Sequence, residues 1–236
     1  QGSCHERVNA VWHKGLDIIK PILETALNHH LQQLQSQKPL TTTVIVHDLS
    51  SSPVGTSLPF IPDVAIHYRC SDNFVGHYGF LPFKHFISLI QPSLPTTTSS
   101  SSLHTIYVLA ENRHRKTSSR KHLVAKCDSI FDKMFTFLTT HFPHSTVLIR
   151  RGDDLYQDMA RLAQAKVTIC SVSTFCLWPA IMNNHSAYFP RTKLILGGGG
   201  TVELGPNFHW IQMPEIVSGV ETLQLSQEQL LKRLEG

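Results

Sequence analysis

Short apolar runs with strand character alternate with helix-like segments along most of this chain. Strands are predicted from residue 64 and at 105–109, 146–149 and 167–170, with helices at 81–90, 121–141 and 175–181. A parallel pair of strands needs a long crossover, usually a helix, so this alternation predicts right-handed βαβ units. We therefore expect an α/β fold in which helices flank a Rossmann-like parallel sheet.

The 236 residues suffice for one sizeable α/β domain or two small ones. Residues 1–62 are predicted to form a helical amino-terminal segment with one strand at 43–46, which can belong to the same domain. Pro21 either kinks that helix or starts a second one. Residues 63–236 are predicted to form the Rossmann-like domain, with a low-complexity Ser/Thr/Pro loop at 91–102.

Composition narrows the classes of partner. The net charge of +4 is too small to indicate nucleic acid, and the basic run at 113–116 lacks interleaved aromatic residues. No apolar run approaches the roughly 20 residues of a membrane helix, and no signal peptide is recognisable. Among the 15 histidines, neither His141 and His144 nor the pair at 29–30 has metal-ligand spacing and a third ligand. We therefore expect neither a bound metal nor a nucleic-acid partner.

The chain has five cysteines, so at least one thiol lacks a partner within it. No Cys-x-x-Cys pair is present, which argues against a zinc cluster or a redox dithiol. Cys127, Cys170 and Cys176 lie in apolar segments and are expected to be small core residues. A disulfide from Cys70 to Cys4, or to a segment beyond this chain, stays open.

The strand that begins at Val64 ends in basic residues and opens into a polar loop. Alternation along a strand places His67 and Arg69 on one face and Tyr68 on the other. Open α/β sheets bind ligands beyond the carboxyl ends of their strands, and the planar guanidinium of Arg69 suits a phosphate or a carboxylate. The alternative is a strand end whose arginine is merely solvated.

A second candidate site follows the strand at 167–170. An amphipathic helix that carries Asp158 precedes this strand, and a hydroxyl-rich turn at 171–174 follows it. Serine and threonine cap helix starts, whose free N–H groups bind anions. Ser173 and Thr174 therefore mark a second phosphate site, with an ordinary helix cap as the alternative.

In order and spacing, these two motifs resemble those of the fucosyltransferase superfamily, which covers the alpha-1,2-, alpha-1,6- and protein O-fucosyltransferases. His67, Arg69 and Asp72 match the His-x-Arg-x-Gly-Asp motif of those enzymes, with Ser71 in place of the glycine. The family's Asp-helix-strand-turn pattern is matched by Asp158, Ser173, Thr174, Phe175 and Trp178. The resemblance runs from about residue 63 to 190, over half of the chain.

The resemblance implies that residues 63–236 form a nucleotide-sugar-binding domain similar to the donor-binding lobe of a GT-B glycosyltransferase. The donor would be GDP-fucose, the acceptor a glycan or protein hydroxyl, and the location the secretory pathway, in the Golgi or ER lumen. Residues 1–62 are too short for a complete second lobe, which points to a missing amino-terminal lobe or a partner chain.

By the same resemblance, Arg69 is the catalytic residue, because it would neutralise the leaving diphosphate without a metal or another cofactor. Asp158 and His67 would help to hold the nucleotide, Asp158 by accepting from guanine, and Asp72 would orient the loop and Arg69. The substrate-binding set is His67, Arg69, Asp72, Asp158, Ser173, Thr174 and Phe175. Three candidates are weaker. Glu111 could accept a hydrogen bond from a ribose hydroxyl or be a solvated carboxylate, and Arg150 and Arg151 could contact the nucleotide-sugar donor.

Three functions stay open from the sequence. The first is an inverting, metal-independent glycosyltransferase of the fucosyltransferase type, for which no residue can be named as the general base. The second is a catalytically inactive relative that serves as a binding or structural subunit. The third, a nucleic-acid binder that uses the basic run at 113–116, has the least support.

Overall fold

The computed structural model describes residues 59–70, 74, 79–94, 104–111, 121–151, 154–191, 204–211 and 216–236, together with part of 17–32. Within 17–32 the described residues are helical on both sides of Pro21. The strand predicted at 43–46 and the basic run at 113–116 lie outside the described residues, as does most of the loop at 91–102.

Strands and helices alternate through the described part of the chain. In chain order the elements are β1 (Val64–His67), β2 (Gly79–Phe80), α1 (Lys84–Ile90), β3 (His104–Ala110), α2 (Lys121–His141), β4 (Ser145–Arg151), α3 (Leu155–Gln164), β5 (Val167–Cys170), α4 (Thr174–Met182), β6 (Ser186–Pro190), β7 (Phe208–Ile211), β8 (Val217–Ser218), α5 (Gly219–Gln224) and α6 (Gln227–Glu235). No helix in these described ranges has the length and apolar character needed to cross a bilayer.

Six strands form one sheet in the order β4-β3-β1-β5-β6-β7, and every neighbouring pair is parallel. In the central strand, Ile66 is in register with Val108 of β3 and Ile169 of β5. Numbered along the chain within this sheet, the order is 3-2-1-4-5-6, that of a doubly wound Rossmann sheet. The predicted α/β fold with a Rossmann-like parallel sheet is therefore confirmed.

Alternate residues of the strands face two helical layers. Ile66 and its neighbours in β3 and β4 pack against α1, α2 and α6 in one cluster. Ala65 belongs to a second cluster, in which Leu162 of α3 and Leu177 of α4 cover the other face. All four residues of β1 are buried, as expected for a parallel strand covered on both sides.

Helix starts in this fold follow the capping chemistry of the sequence. The Asp154 carboxylate caps α3 by accepting from the Tyr156 amide at 2.9 Å. Ser226 begins α6 in a capping box with Gln229. The helix predicted at 81–90 begins later, at Lys84, because the chain just before it forms β2.

One part of the architecture was not predicted. β2 pairs antiparallel with β8 in a separate two-stranded sheet, where Phe80 is in register with Val217. Nearby, the Phe83 amide donates to the Leu234 carbonyl at 2.6 Å, which ties the start of α1 to the end of α6. Strands of two residues are too short to produce a recognisable alternation in the sequence.

Candidate functional site

The strand order places a crevice at the carboxyl ends of β1 and β5. From β1 the chain continues to β3 and β4 on one side, and then crosses back to β5 on the other side. In a doubly wound sheet this reversal leaves a crevice outside the carboxyl ends of the two central strands, where such folds bind ligands. His67 ends β1 and is in register with Cys170, which ends β5. Both sequence motifs therefore meet at this switch point.

His67 is a buried, neutral side chain at the carboxyl end of β1. It is 8% exposed, and its ring centroid lies 5.2 Å from that of Phe175. Burial, and to a lesser extent the positive charge of Arg69, lowers the pKa of His67 to about 3. Its Nδ1 lies 3.4 Å from the Ser171 hydroxyl oxygen. The imidazole can therefore exchange hydrogen bonds with a ligand, but it adds no positive charge at neutral pH.

The residue after His67 lies on the opposite face of the sheet, as predicted, and the predicted face of Arg69 stays a prediction. Tyr68 packs in the cluster that includes α1 and α2, and its hydroxyl donates to the Leu81 carbonyl at 3.1 Å. His67 instead contacts Phe175, which packs against the opposite cluster. Burial raises the pKa of Tyr68 well above its usual range, so this hydroxyl is a structural donor and not an acid.

Arg69 is half-buried and lies just beyond the end of β1. Its backbone amide donates to the Ser171 hydroxyl oxygen at 3.0 Å, and the Ser171 amide donates to the His67 carbonyl at 2.8 Å. These two bonds join the first motif to the turn of the second. Ser171 is 1% exposed and was not a predicted site residue.

The hydroxyl-rich turn leads directly into α4. Ser173 is the N-cap, and its hydroxyl oxygen accepts from the Phe175 amide at 3.3 Å, which confirms the predicted cap. Thr174 is exposed and begins the helix, whereas Ser173 is buried. The ring of Phe175, in the first turn of α4, lies beside His67, so this helix begins near the end of β1, and a helix start favours negative charge.

Four of the five cysteines form disulfides that flank this site. Cys70 bonds to Cys127 of α2, and Cys170 bonds to Cys176, which closes the turn between β5 and α4. Cys127, Cys170 and Cys176 are buried, as predicted for small core residues, but their disulfide bonds were not predicted. Their apolar surroundings were correctly recognised, but a pairing depends on the fold, which brings each pair of Cα atoms within 5.8 Å.

Asp158 lies on α3 and is engaged in a buried ion pair. Its carboxylate accepts from Arg161 Nη1 at 3.1 Å, and the Arg161 side chain is 3% exposed. The guanidinium of Arg161 also lies over the Phe60 ring, 4.6 Å from its centroid. The structure thus gives Asp158 a structural partner, and its predicted contact with guanine stays a prediction. Asp72 lies outside the described residues.

The weaker candidates have structural partners as well. Arg150 lies over the Tyr107 ring at 5.4 Å, and Arg151 over the Phe131 ring at 4.8 Å, on opposite faces of β4. Arg151 also pairs with Asp128. Glu111, immediately after β3, is half-buried and accepts from the Cys70 amide, and its predicted ribose contact stays a prediction.

Within the described residues, no group of three His, Cys, Asp or Glu side chains lies close enough together to hold a metal ion. Comparisons of this chain with protein-family models, curated proteins and solved structures found no match. The fold and the crevice define a Rossmann-like α/β protein with its candidate site at the switch point. The resemblance to the fucosyltransferases stays a prediction from the two motifs.

Proposed function

We propose that this chain is the nucleotide-sugar-binding domain of an inverting, metal-independent glycosyltransferase of the fucosyltransferase type. GDP-fucose is the proposed donor, and a glycan or protein hydroxyl is the proposed acceptor. The proposal combines the motif resemblance with the position of those motifs at the switch point of the sheet.

One observation carries the proposal: the Arg69 amide donates to the Ser171 hydroxyl at 3.0 Å, although 102 residues separate them in the chain. This contact supports a single site built from both motifs. A guanidinium at the end of β1 and the helix start after β5 then offer positive charge and N–H donors to the same ligand. A diphosphate is the part of a nucleotide sugar that needs both.

In the proposed reaction, the acceptor oxygen attacks the anomeric carbon from the face opposite the diphosphate. The bond between that carbon and the phosphate oxygen breaks, and the configuration inverts. Arg69 and the first N–H groups of α4 stabilise the charge that develops on the leaving diphosphate. The acceptor proton passes to a general base or to solvent.

A catalytically inactive, nucleotide-binding subunit is the second candidate, and it is favoured by the chemistry of the buried histidine. His67 has a pKa of about 3, which makes it a weak base at neutral pH. Glu111 accepts from the Cys70 amide, and Asp158 pairs with Arg161. The described part of the crevice thus offers no carboxylate or imidazole suited to proton removal, so the base would come from elsewhere or be lacking.

The proposed location in the Golgi or ER lumen is supported by the disulfides Cys70–Cys127 and Cys170–Cys176. Disulfides of this structural kind persist in oxidising compartments and are rare in the cytosol. Both connect residues next to the candidate site, so the proposed site depends on their formation.

Calorimetric titration with GDP, guanosine and UDP tests the proposed function. We expect GDP to bind more tightly than guanosine, because the site recognises phosphate, and more tightly than UDP, because it recognises the base. A transfer assay with GDP-fucose and candidate acceptors then separates the two proposals. Fucose transfer supports the enzyme, and binding without transfer supports the inactive subunit. Absence of GDP binding contradicts both.

A further inference from the structure

The chain beyond β1 is held from both sides by side chains of the neighbouring strands. The Tyr68 amide makes a backbone bond to the Leu109 carbonyl of β3 at 3.0 Å. The next amide, of Arg69, donates to the Ser171 hydroxyl at the end of β5. The following amide, of Cys70, donates to both carboxylate oxygens of Glu111, at 3.1 and 3.2 Å. Two consecutive amides are thus bound by side chains from opposite sides.

Glu111 is itself held in place. Its backbone carbonyl accepts from Arg151 Nε at 3.3 Å, and Arg151 is fixed by Asp128 and by the Phe131 ring. Its amide partner is constrained as well, because Cys70 is bonded covalently to Cys127 of α2. A hydrogen bond to a charged acceptor is stronger than one between neutral groups. The contact therefore fixes the backbone on the carboxyl side of Arg69.

We infer that Glu111 is a positioning residue for Arg69. By holding the Cys70 amide, its carboxylate sets the direction in which the Arg69 side chain leaves the end of β1. This inference rests on the proposed function, since the group that Arg69 would contact is the diphosphate. A carboxylate would repel a diphosphate that it touched directly, so Glu111 acts through the backbone and does not contact the phosphate.

Asp63 offers a matched control. It lies between the same two strands at their opposite end, where its Oδ2 accepts from the Thr105 amide at 2.9 Å. Its Oδ1 also pairs with Lys166 at 2.7 Å, and these partners lower the pKa of Asp63 against the opposing effect of burial. Asp63→Asn thus perturbs a carboxylate between β1 and β3 at the edge of the sheet away from the crevice.

The experiment makes three measurements on the full chain: the affinity for GDP, the affinity for guanosine, and the hydrogen-exchange rate of the Cys70 amide by NMR. Glu111→Ala should weaken GDP binding about tenfold, which is 1.4 kcal/mol, while guanosine changes by less than about twofold. The Cys70 amide should exchange faster. Glu111→Gln keeps an acceptor oxygen and should restore most of both properties. Asp63→Asn should leave all three measurements unchanged.

Several results would overturn the inference. One is unchanged GDP affinity in Glu111→Ala, with or without faster Cys70 exchange. Another is an equal loss of GDP and guanosine, which indicates a ribose contact or a general defect. A third is a Glu111→Gln variant that protects the Cys70 amide from exchange but does not restore GDP binding. The negative charge of Glu111, and not its hold on the amide, would then explain the loss of affinity. If the wild-type protein binds no GDP, the proposed function and the positioning role both fail, while the exchange rates still decide whether the carboxylate holds the amide.

Discussion

Arg69 and Arg151 show how two arginines at the carboxyl ends of strands in one sheet acquire different roles. The Arg151 side chain is 7% exposed, pairs with Asp128 and lies over Phe131, so it joins β4 to α2. Arg69 is half-buried at the switch point, where its charge helps to lower the pKa of His67. The sequence could not separate them, because the partner of Arg151 precedes it by 23 residues.

We predict that Arg69→Ala weakens GDP binding by about 1.5–3 kcal/mol, the range for a hydrogen bond to a charged group. Arg69→Lys should recover only part of this loss, since lysine lacks the bidentate guanidinium. Lys133→Ala serves as the control: it removes the half-exposed ion pair with Glu235 between α2 and α6, so it should lower the free energy of unfolding by at most about 1 kcal/mol and leave GDP affinity nearly unchanged. Calorimetry and urea unfolding supply the two measurements. Equal GDP affinity in wild type and Arg69→Ala would show that the strand end is merely solvated.

His67 gives a prediction on pH dependence. Its pKa is about 3 in the folded protein and about 6.5 in an unfolded chain. Between these values the unfolded state binds the proton more readily, so the stability present above pH 6.5 is lost as the pH falls towards 3. Over this range the free energy of unfolding should fall by up to about 1.4 kcal/mol for each pH unit. Urea unfolding of wild type and His67→Gln is measured from pH 7 to 4. The two proteins share every other titrating group, so the difference between their pH profiles is the contribution of His67. Parallel pH profiles would contradict a buried, neutral His67.

At the scale of elements, the connection from β5 to α4 is the most constrained part of the candidate site. Within seven residues it contains the disulfide Cys170–Cys176, the Ser173 cap and the Ser171 hydroxyl that binds the Arg69 amide. The other disulfide, Cys70–Cys127, joins the end of β1 to α2. The crevice is therefore covalently fixed on both of its strands.

We predict that the two disulfides differ in their effect on stability. Cys70 and Cys127 are separated by 57 residues, and Cys170 and Cys176 by 6. Loop-closure entropy then predicts that replacing both cysteines by serine costs about 4 kcal/mol for the longer loop and about 2 kcal/mol for the shorter one. Urea unfolding of the two double variants measures this. A larger loss for the shorter loop would mean that local packing, and not chain entropy, dominates.

At the scale of the whole molecule, local patterns predicted the elements but not their pairing. α2 and β5 have the predicted bounds, 121–141 and 167–170. The sequence of α2 keeps a helical period over its whole length, and that of β5 is a continuous β-branched run, so both patterns are easy to recognise. The position of β5 beside β1 and the disulfides depend on how the chain packs in three dimensions. The sequence therefore placed two motifs at strand ends, and only the fold brought them together through Ser171.

The last prediction concerns how the whole molecule neutralises a diphosphate. The protein carries a net charge of +4, and at the crevice it offers Arg69 and the first N–H groups of α4. We therefore expect GDP to bind without magnesium. Titrations in EDTA and in magnesium chloride, at matched ionic strength, should give affinities that agree within about twofold, a difference of under 0.5 kcal/mol. Raising the salt concentration should weaken GDP more than guanosine in both buffers, because only the diphosphate interaction is screened. Loss of GDP binding on chelation would show that a divalent cation, and not Arg69 with α4, supplies the charge.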